Sequence, residues 1–196
     1  ATAIIFALKS PFIEMDGLGN VKVPVRSGAA YELISVKQSY EKYITAGLFA
    51  PTDRDLQVPD ELLEDFKKFA LKIIGEEEDD FRKASLIEKY LQTRYKYRTG
   101  VRLKMKDIDP VKEFLFYQKE AHCEYFASSM TLLLRSIGIP ARYTVGFIAH
   151  EYAIPGNYYV VREKDAHAWV LAYIKDRGWV EFDPTPPEGL PGKGID

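Results

Sequence analysis

A chain of 196 residues with 46% hydrophobic residues can bury a sizeable core, and its 27 Lys+Arg against 29 Asp+Glu, a net charge of −2, lack the basic excess a phosphate-backbone binder needs. No nucleic-acid partner is expected. The apolar run at residues 3–8 is far too short to span a bilayer or form a signal-peptide core, so either a cytosolic protein or the soluble portion of something larger is expected, with membrane attachment only through segments outside this chain, and the single cysteine excludes an internal disulfide framework.

In chain order, residues 1–40 alternate short apolar stretches (3–8, 21–25 and 31–36) with turn material such as Asp16-Gly17-Leu18-Gly19-Asn20, predicting two or three strands. Pro24 demotes the second stretch to an edge strand or extended arm. Residues 46–58 read as irregular. Pro59 then opens a helix with Asp60 and Glu61 in its first turn, a stripe of Leu62, Leu63, Phe66, Ala70, Ile73 and Ile74, and Gly75 at its end. The acidic run 76–80 reads as a solvated linker and helix-start charge rather than a metal site, and it lacks the spacing of a calcium loop. Phe81, Ala84, Ile87, Tyr90 or Leu91, and Tyr95 define a second helix ending near Arg98-Thr99-Gly100. Asp109-Pro110 has the cap-then-proline form of a third, with Val111, Phe114 and Leu115 on its apolar face.

The next stretch carries the only cysteine. Phe126, Met130, Leu133 or Leu134, and Ile137 recur at helical spacing, with Ala127, Ser128 and Thr131 offering small surfaces on other faces, so a central buried helix is predicted over 123–136. Gly138 suits the left-handed position after its last turn, and Pro140 forbids continuation. Beyond Pro140 the period changes to that of strands: Tyr143, Val145 and Phe147, then 158–161, 167–173 and 179–183. Strands in meander order imply an antiparallel sheet, and helices followed by a sheet make the chain α+β, with the sheet packed on the cysteine helix. Residues 1–58 are expected to be an extended β segment packed on the core, and residues 59–196 the core domain.

Taken alone, a free cysteine is usually a small buried hydrophobe, a lone histidine usually a satisfied structural one, and Asp183 before Pro184 a turn former. Position changes this weighing. Cys123 sits in the first turn of its helix, where unpaired backbone N–H groups and the positive end of the dipole favour a thiolate. His122 is its neighbour in sequence but diverges from it by about 100° around the helix axis. His150 falls in loop-like surroundings, whereas His167 interrupts an otherwise apolar strand and needs a partner. A cysteine nucleophile needs a base, and the base needs an acid to orient it; Cys123, His167 and Asp183 supply these types in order. Counted from a turn near Asp176-Arg177, His167 lies about nine or ten residues out and Asp183 about six or seven, so an ideal hairpin does not set them opposite each other, and a bulge or a different turn is expected. One cysteine and three scattered histidines give no zinc spacing, and there is no phosphate-binding or dinucleotide glycine pattern, so no cofactor is expected.

Three blocks of the chain resemble the transglutaminase-like superfamily: Cys123-Glu124-Tyr125-Phe126-Ala127-Ser128 running to Ile137-Gly138-Ile139-Pro140-Ala141-Arg142; Ala166-His167-Ala168-Trp169-Val170; and Gly178-Trp179-Val180-Glu181-Phe182-Asp183-Pro184-Thr185-Pro186. Ala121 departs from the glycine expected two residues before the cysteine. The resemblance implies a papain-like α+β core, with Cys123 as nucleophile, His167 as general base and acid, and Asp183 as the group orienting His167. It implies acyl transfer from a glutamine carboxamide to an amine through a thioester, protein or peptide substrates supplying glutamine and amine, and an extracytoplasmic soluble portion of a membrane protein. A cysteine peptidase or amidase with the same triad, or an inactive binding module on this fold, are the alternatives. Gln118 resembles the glutamine placed before the cysteine in papain-like proteases, or is a helix-end surface residue.

Overall fold

A computed structural model describes residues 50–101, 107–155 and 158–192, together with the backbone of four short strands upstream. The chain divides into two units, Ala1–Ala50 and Pro51–Asp196. In the first, β1 (Thr2–Ile5) and β2 (Glu14–Met15) precede β3 (Val21–Lys22) and β4 (Ile34–Lys37), with β1 paired to β4 and β2 to β3, both antiparallel. Four strands replace the expected two or three, because a pair as short as Glu14 and Met15 carries no alternation to read. Residues 6–8, Pro24 and residues 46–49 lie outside the described residues.

The second unit opens with a 3-10 turn at Asp53–Leu56 and helix α1, Asp60–Ile74, entered at Pro59 and closed by Gly75 at φ +58°. Leu62, Phe66, Ala70 and Ile74 form its buried row, whereas Leu63, assigned to the stripe by sequence, is 40% exposed. One position separates Leu62 from Leu63, which is enough to turn the second side chain out of the packed row. Helix α2, Asp80–Arg94, is capped by Asp79, whose carboxylate accepts the Arg82 amide. It ends earlier than its apolar pattern predicted, because Lys96–Tyr97 leave the helix as strand β5 to pair in parallel with β6, Glu120–Ala121. Between them, α3 (Pro110–Glu113) is capped by Asp109 and passes into a π-helical turn, Phe114–Gln118, that Lys119 ends at φ +57°.

Helix α4 runs over Cys123–Ser136 and buries Phe126, Ala127, Ser129, Met130, Thr131, Leu133, Leu134 and Ser136. Gly138 at φ +84° takes the left-handed position after it. Strands β7 (Ala141–Phe147), β8 (Glu151–Ala153), β9 (Tyr158–Val160), β10 (Ala166–Ile174) and β11 (Gly178–Phe182) follow. The expected meander is corrected at one place. β8 and β9 pair only with each other as a separate hairpin, and β10 returns to pair with β7, giving a three-stranded antiparallel sheet in the order β11-β10-β7. Ala168, Val170, Ala172 and Ile174 alternate into the core on β10, and α4 packs on β10 and β7, so the sheet lies on the cysteine helix. Among the described residues no helix is long and apolar enough to cross a membrane.

Candidate active site

The strand pair β5–β6 fixes the entry to α4. Tyr97 pairs with Ala121, and the Arg98 amide donates to the Ala121 carbonyl at 2.8 Å, two residues before the cysteine. His122 stands in the cap position with extended backbone (φ −93°, ψ 174°), and its imidazole Nδ1 lies 3.9 Å from Glu124 Oε2. Cys123 is therefore the first residue of the helix and half-buried, with its own N–H among those a helix start leaves free of internal partners. Two tyrosines border the thiol. Burial, and then the charge at Cys123, raise the Tyr97 hydroxyl above its usual pKa; burial, Glu124 and Cys123 do the same for Tyr143. The Tyr97 ring lies so close to Gly189 that a Cβ there would come within 2.2 Å of it, so only glycine lets the ring take this place.

His167, the second residue of β10, is 4% exposed. Its Nε2 lies 2.7 Å from Asp183 Oδ2, and Cys123 lies near enough to the ring to help raise its pKa. With Nε2 committed to Asp183, Nδ1 is the nitrogen left to exchange a proton with the thiol. Trp169 stacks on the imidazole, with centroids 6.3 Å apart and planes 15° apart, and the indole lies over Gly146 on β7, where a Cβ would meet it at 2.7 Å. Burial opposes a charged imidazole, but the hydrogen bond to Asp183, its charge and the nearby Cys123 outweigh it, and the pKa is pushed up to about 9.

The offset between His167 and Asp183 closes without a bulge. The β10–β11 ladder pairs Val170 with Phe182 and Ile174 with Gly178 around the turn at Lys175–Arg177, where Asp176 has φ +65°. Continuing that register sets Asp183 across from Trp169, so His167 is its diagonal neighbour two residues along on the same face, within side-chain reach. Asp183 is gripped on every polar group. Its amide donates to Glu88 Oε1 at 2.7 Å, its carbonyl accepts from Gln92 Nε2 at 2.7 Å, and its Oδ1 accepts the Thr185 amide at 3.0 Å. Sequence reasoning missed Glu88, Gln92 and Tyr97. A Glu and a Gln four apart on a helix read as a solvated face, and the one available signal was that they lie beside the buried row of Ala84 and Leu91.

The other candidates stand apart. His150 Nε2 lies 3.0 Å from buried Asp165 Oδ1, and Gln118 is exposed with its amide 3.5 Å from Glu120 Oε1. A cleft of about 350 Å³ opens beside Tyr97 and Ala166, lined also by His150, Glu188 and Gly189. Among the described residues no group of three or more His, Cys, Asp or Glu side chains converges as metal ligands would.

The raised His167 pKa has a consequence for stability. An imidazole at about 9 in the fold and 6.5 in the open chain contributes stability that is fully present below pH 6.5 and lost as pH rises through 9, on the order of 3 kcal/mol. Urea unfolding of the wild type and His167→Gln across pH 6 to 10 checks this. The wild type is expected to lose stability relative to the variant over that window, and parallel curves would refute the assignment.

A family model described as the transglutaminase-like superfamily matches residues 67–184. Protein YebA of Bacillus subtilis is 36% identical over 183 residues, which is 88% of this chain and 24% of that protein. A protein-glutamine gamma-glutamyltransferase of Pseudomonas aeruginosa is 42% identical over 77 residues, 39% of this chain and 12% of that protein. The solved periplasmic domain of TgpA from Pseudomonas aeruginosa, bound to ethylmercury, aligns with a TM-score of 0.60 at 27% identity, covering 70% of this chain and 49% of that one. The chain thus spans a quarter or less of the length of these two curated relatives.

Proposed function

Because the chain belongs to the transglutaminase-like superfamily, a superfamily of cysteine-dependent acyltransferases and proteases, we propose that it performs transglutaminase-type acyl transfer from a glutamine carboxamide to an amine, with Cys123, His167 and Asp183 as the working triad. One observation carries the reading: a buried imidazole held at 2.7 Å by a carboxylate, with a thiol at the start of a helix near enough to shift its pKa. That arrangement is the one in which an imidazole takes the proton of a thiol.

The Cys123 thiolate attacks the carboxamide carbon, and the carbonyl oxygen takes the electron pair beside the Cys123 amide, which is placed to donate to it. His167 delivers its proton to the departing ammonia, the C–N bond breaks, and a thioester remains. An amine then attacks the thioester carbon, His167 accepts its proton, and the new amide leaves the thiolate free. Asp183 holds the ring orientation and stabilises the imidazolium throughout. Protein or peptide substrates and an extracytoplasmic setting belong to the same proposal; the TgpA domain it resembles is periplasmic.

The test is mass spectrometry of a glutamine-containing peptide incubated with the protein and a fluorescent primary amine. Acyl transfer joins the amine to glutamine with loss of ammonia, and Cys123→Ala is expected to form no product. Conversion of glutamine to glutamate without amine incorporation, or cleavage of the peptide, would identify a hydrolase and overturn the transferase reading. Wild-type product formation that survives Cys123→Ala would overturn the nucleophile.

A further inference from the structure

Helix α2 contributes no group to the reacting atoms, yet it places Glu88 and Gln92, one turn apart, on the two backbone groups of a single residue. Glu88 accepts the Asp183 amide and Gln92 donates to the Asp183 carbonyl, each at 2.7 Å, across 95 and 91 residues of sequence. Glu88 does so with a half-buried carboxylate set beside that of Asp183. Burial raises the Glu88 pKa; the bond from the Asp183 amide opposes this, and the charge of Asp183 adds to it, leaving the group above the usual carboxylate range.

We propose that Glu88 and Gln92 are positioning residues for the triad, clamping the Asp183 backbone so that its carboxylate stays locked on His167. The proposal rests on the triad reading above, but it concerns the His167–Asp183 pair and can be tested without substrate. Asp183 stands just past the last paired residue of β11, so the ladder no longer holds it, and Pro184 after it donates no hydrogen bond. The clamp from α2 replaces the missing ladder partners, and the Thr185 amide fixes Oδ1 so that Oδ2 faces the imidazole. The titratable groups against His167 are Cys123 from α4 and Asp183 after β11, with Glu88 of α2 behind Asp183.

The experiment is NMR titration of the histidine rings in the full chain, with the three histidines assigned by single substitution, run beside the pH dependence of Cys123 alkylation by iodoacetamide. Glu88→Ala is expected to lower the His167 midpoint by about one unit, and to shift the pH dependence of alkylation with it, because Asp183 no longer holds the charged ring. Glu88→Gln keeps an acceptor for the amide and is expected to bring the midpoint back to within about half a unit of wild type. A folded Glu88→Ala protein with an unchanged midpoint overturns the proposal. If that variant does not fold, Gln92→Ala is read the same way: a lowered midpoint supports the clamp and an unmoved one refutes it. A wild type that transfers no acyl group would remove the proposed reaction, while the shift in midpoint would still establish the clamp.

Discussion

Replacing His167 by alanine is expected to lower kcat/KM for amine incorporation by about 1,000- to 10,000-fold, with the chain still folded at neutral pH. The loss has two sources. Without the imidazole, Cys123 loses the base proposed to take its proton, and the departing ammonia the acid proposed to protonate it. Without it, Asp183 Oδ2 also loses its hydrogen-bond donor. Replacing Asp183 by asparagine is the informative companion. It keeps the shape of the pair but removes the charge that holds the imidazole near 9, so the alkaline limb of the rate profile should move toward the ordinary histidine range. Steady-state kinetics across pH 5 to 10, beside circular dichroism to confirm folding, decide both. A loss of less than tenfold in His167→Ala would remove His167 from the chemistry.

Phe114→Ala should cost about 3 to 5 kcal/mol of unfolding free energy, which for a unit of this size corresponds to roughly 10 to 15 °C in Tm. Phe114 is fully buried where α3 hands over to the π-helical turn, and its ring meets Phe126 at 4.9 Å, Tyr95 at 5.1 Å and Tyr125 at 6.0 Å. Truncation leaves a cavity lined by the end of α2 and the first turn of α4. These walls cannot collapse freely, because the Tyr95 hydroxyl is tied to the Leu115 carbonyl at 2.6 Å and burial holds that phenol neutral, its pKa raised well above the usual value. Phe114→Leu keeps most of the volume and should lose less than about 1.5 kcal/mol. Urea unfolding of both variants measures the difference. A cost below about 1 kcal/mol for the alanine would mean that the aromatic cluster does not hold the cysteine helix in place.

The cysteine helix was legible from sequence to the residue, because three local signals agreed there: an apolar period of 3.6, a left-handed glycine and a proline stop. The same held for α1, whose Pro59 and Gly75 bracket it. Legibility ended where long-range pairing overrode the pattern. Tyr95 belongs to the apolar row of α2, yet the chain leaves the helix there, because β6 offers the backbone of Lys96 and Tyr97 a parallel partner more than twenty residues away in sequence. The hairpin of β8 and β9 likewise has strand-like residues, and nothing in their alternation tells which neighbour they choose. Around the site, Cys123, His167 and Asp183 were singled out by residue type together with the place of the cysteine at a helix start. Their reach was misjudged only because a directly opposed pair was assumed where a diagonal one suffices. Glu88, Gln92 and Tyr97 were invisible for a different reason: each acts through a backbone group or a ring face, and no spacing rule marks such contacts.

Arg142 ties the sheet to a segment upstream of every helix. Its guanidinium forks onto Asp55 at 2.9 and 3.1 Å and lies 4.0 Å over the Trp179 ring, while Arg135 at the end of α4 reaches the Gln57 carbonyl at 3.0 Å. At the other end Gly189, past the last strand, seats the Tyr97 ring beside the cysteine. The cooperative unit is therefore longer on both sides than residues 67–184, the stretch that the family model matches. A fragment cut to that stretch would sever α1 just after Phe66, strip half-buried Arg142 of its carboxylate and Arg135 of one of its two carbonyl acceptors, and release the tyrosine wall of the cleft. Where transplantation or recombination of this module is the aim, the seams belong before Thr52 and after Gly189, so that the latch and the wall travel with the proposed triad.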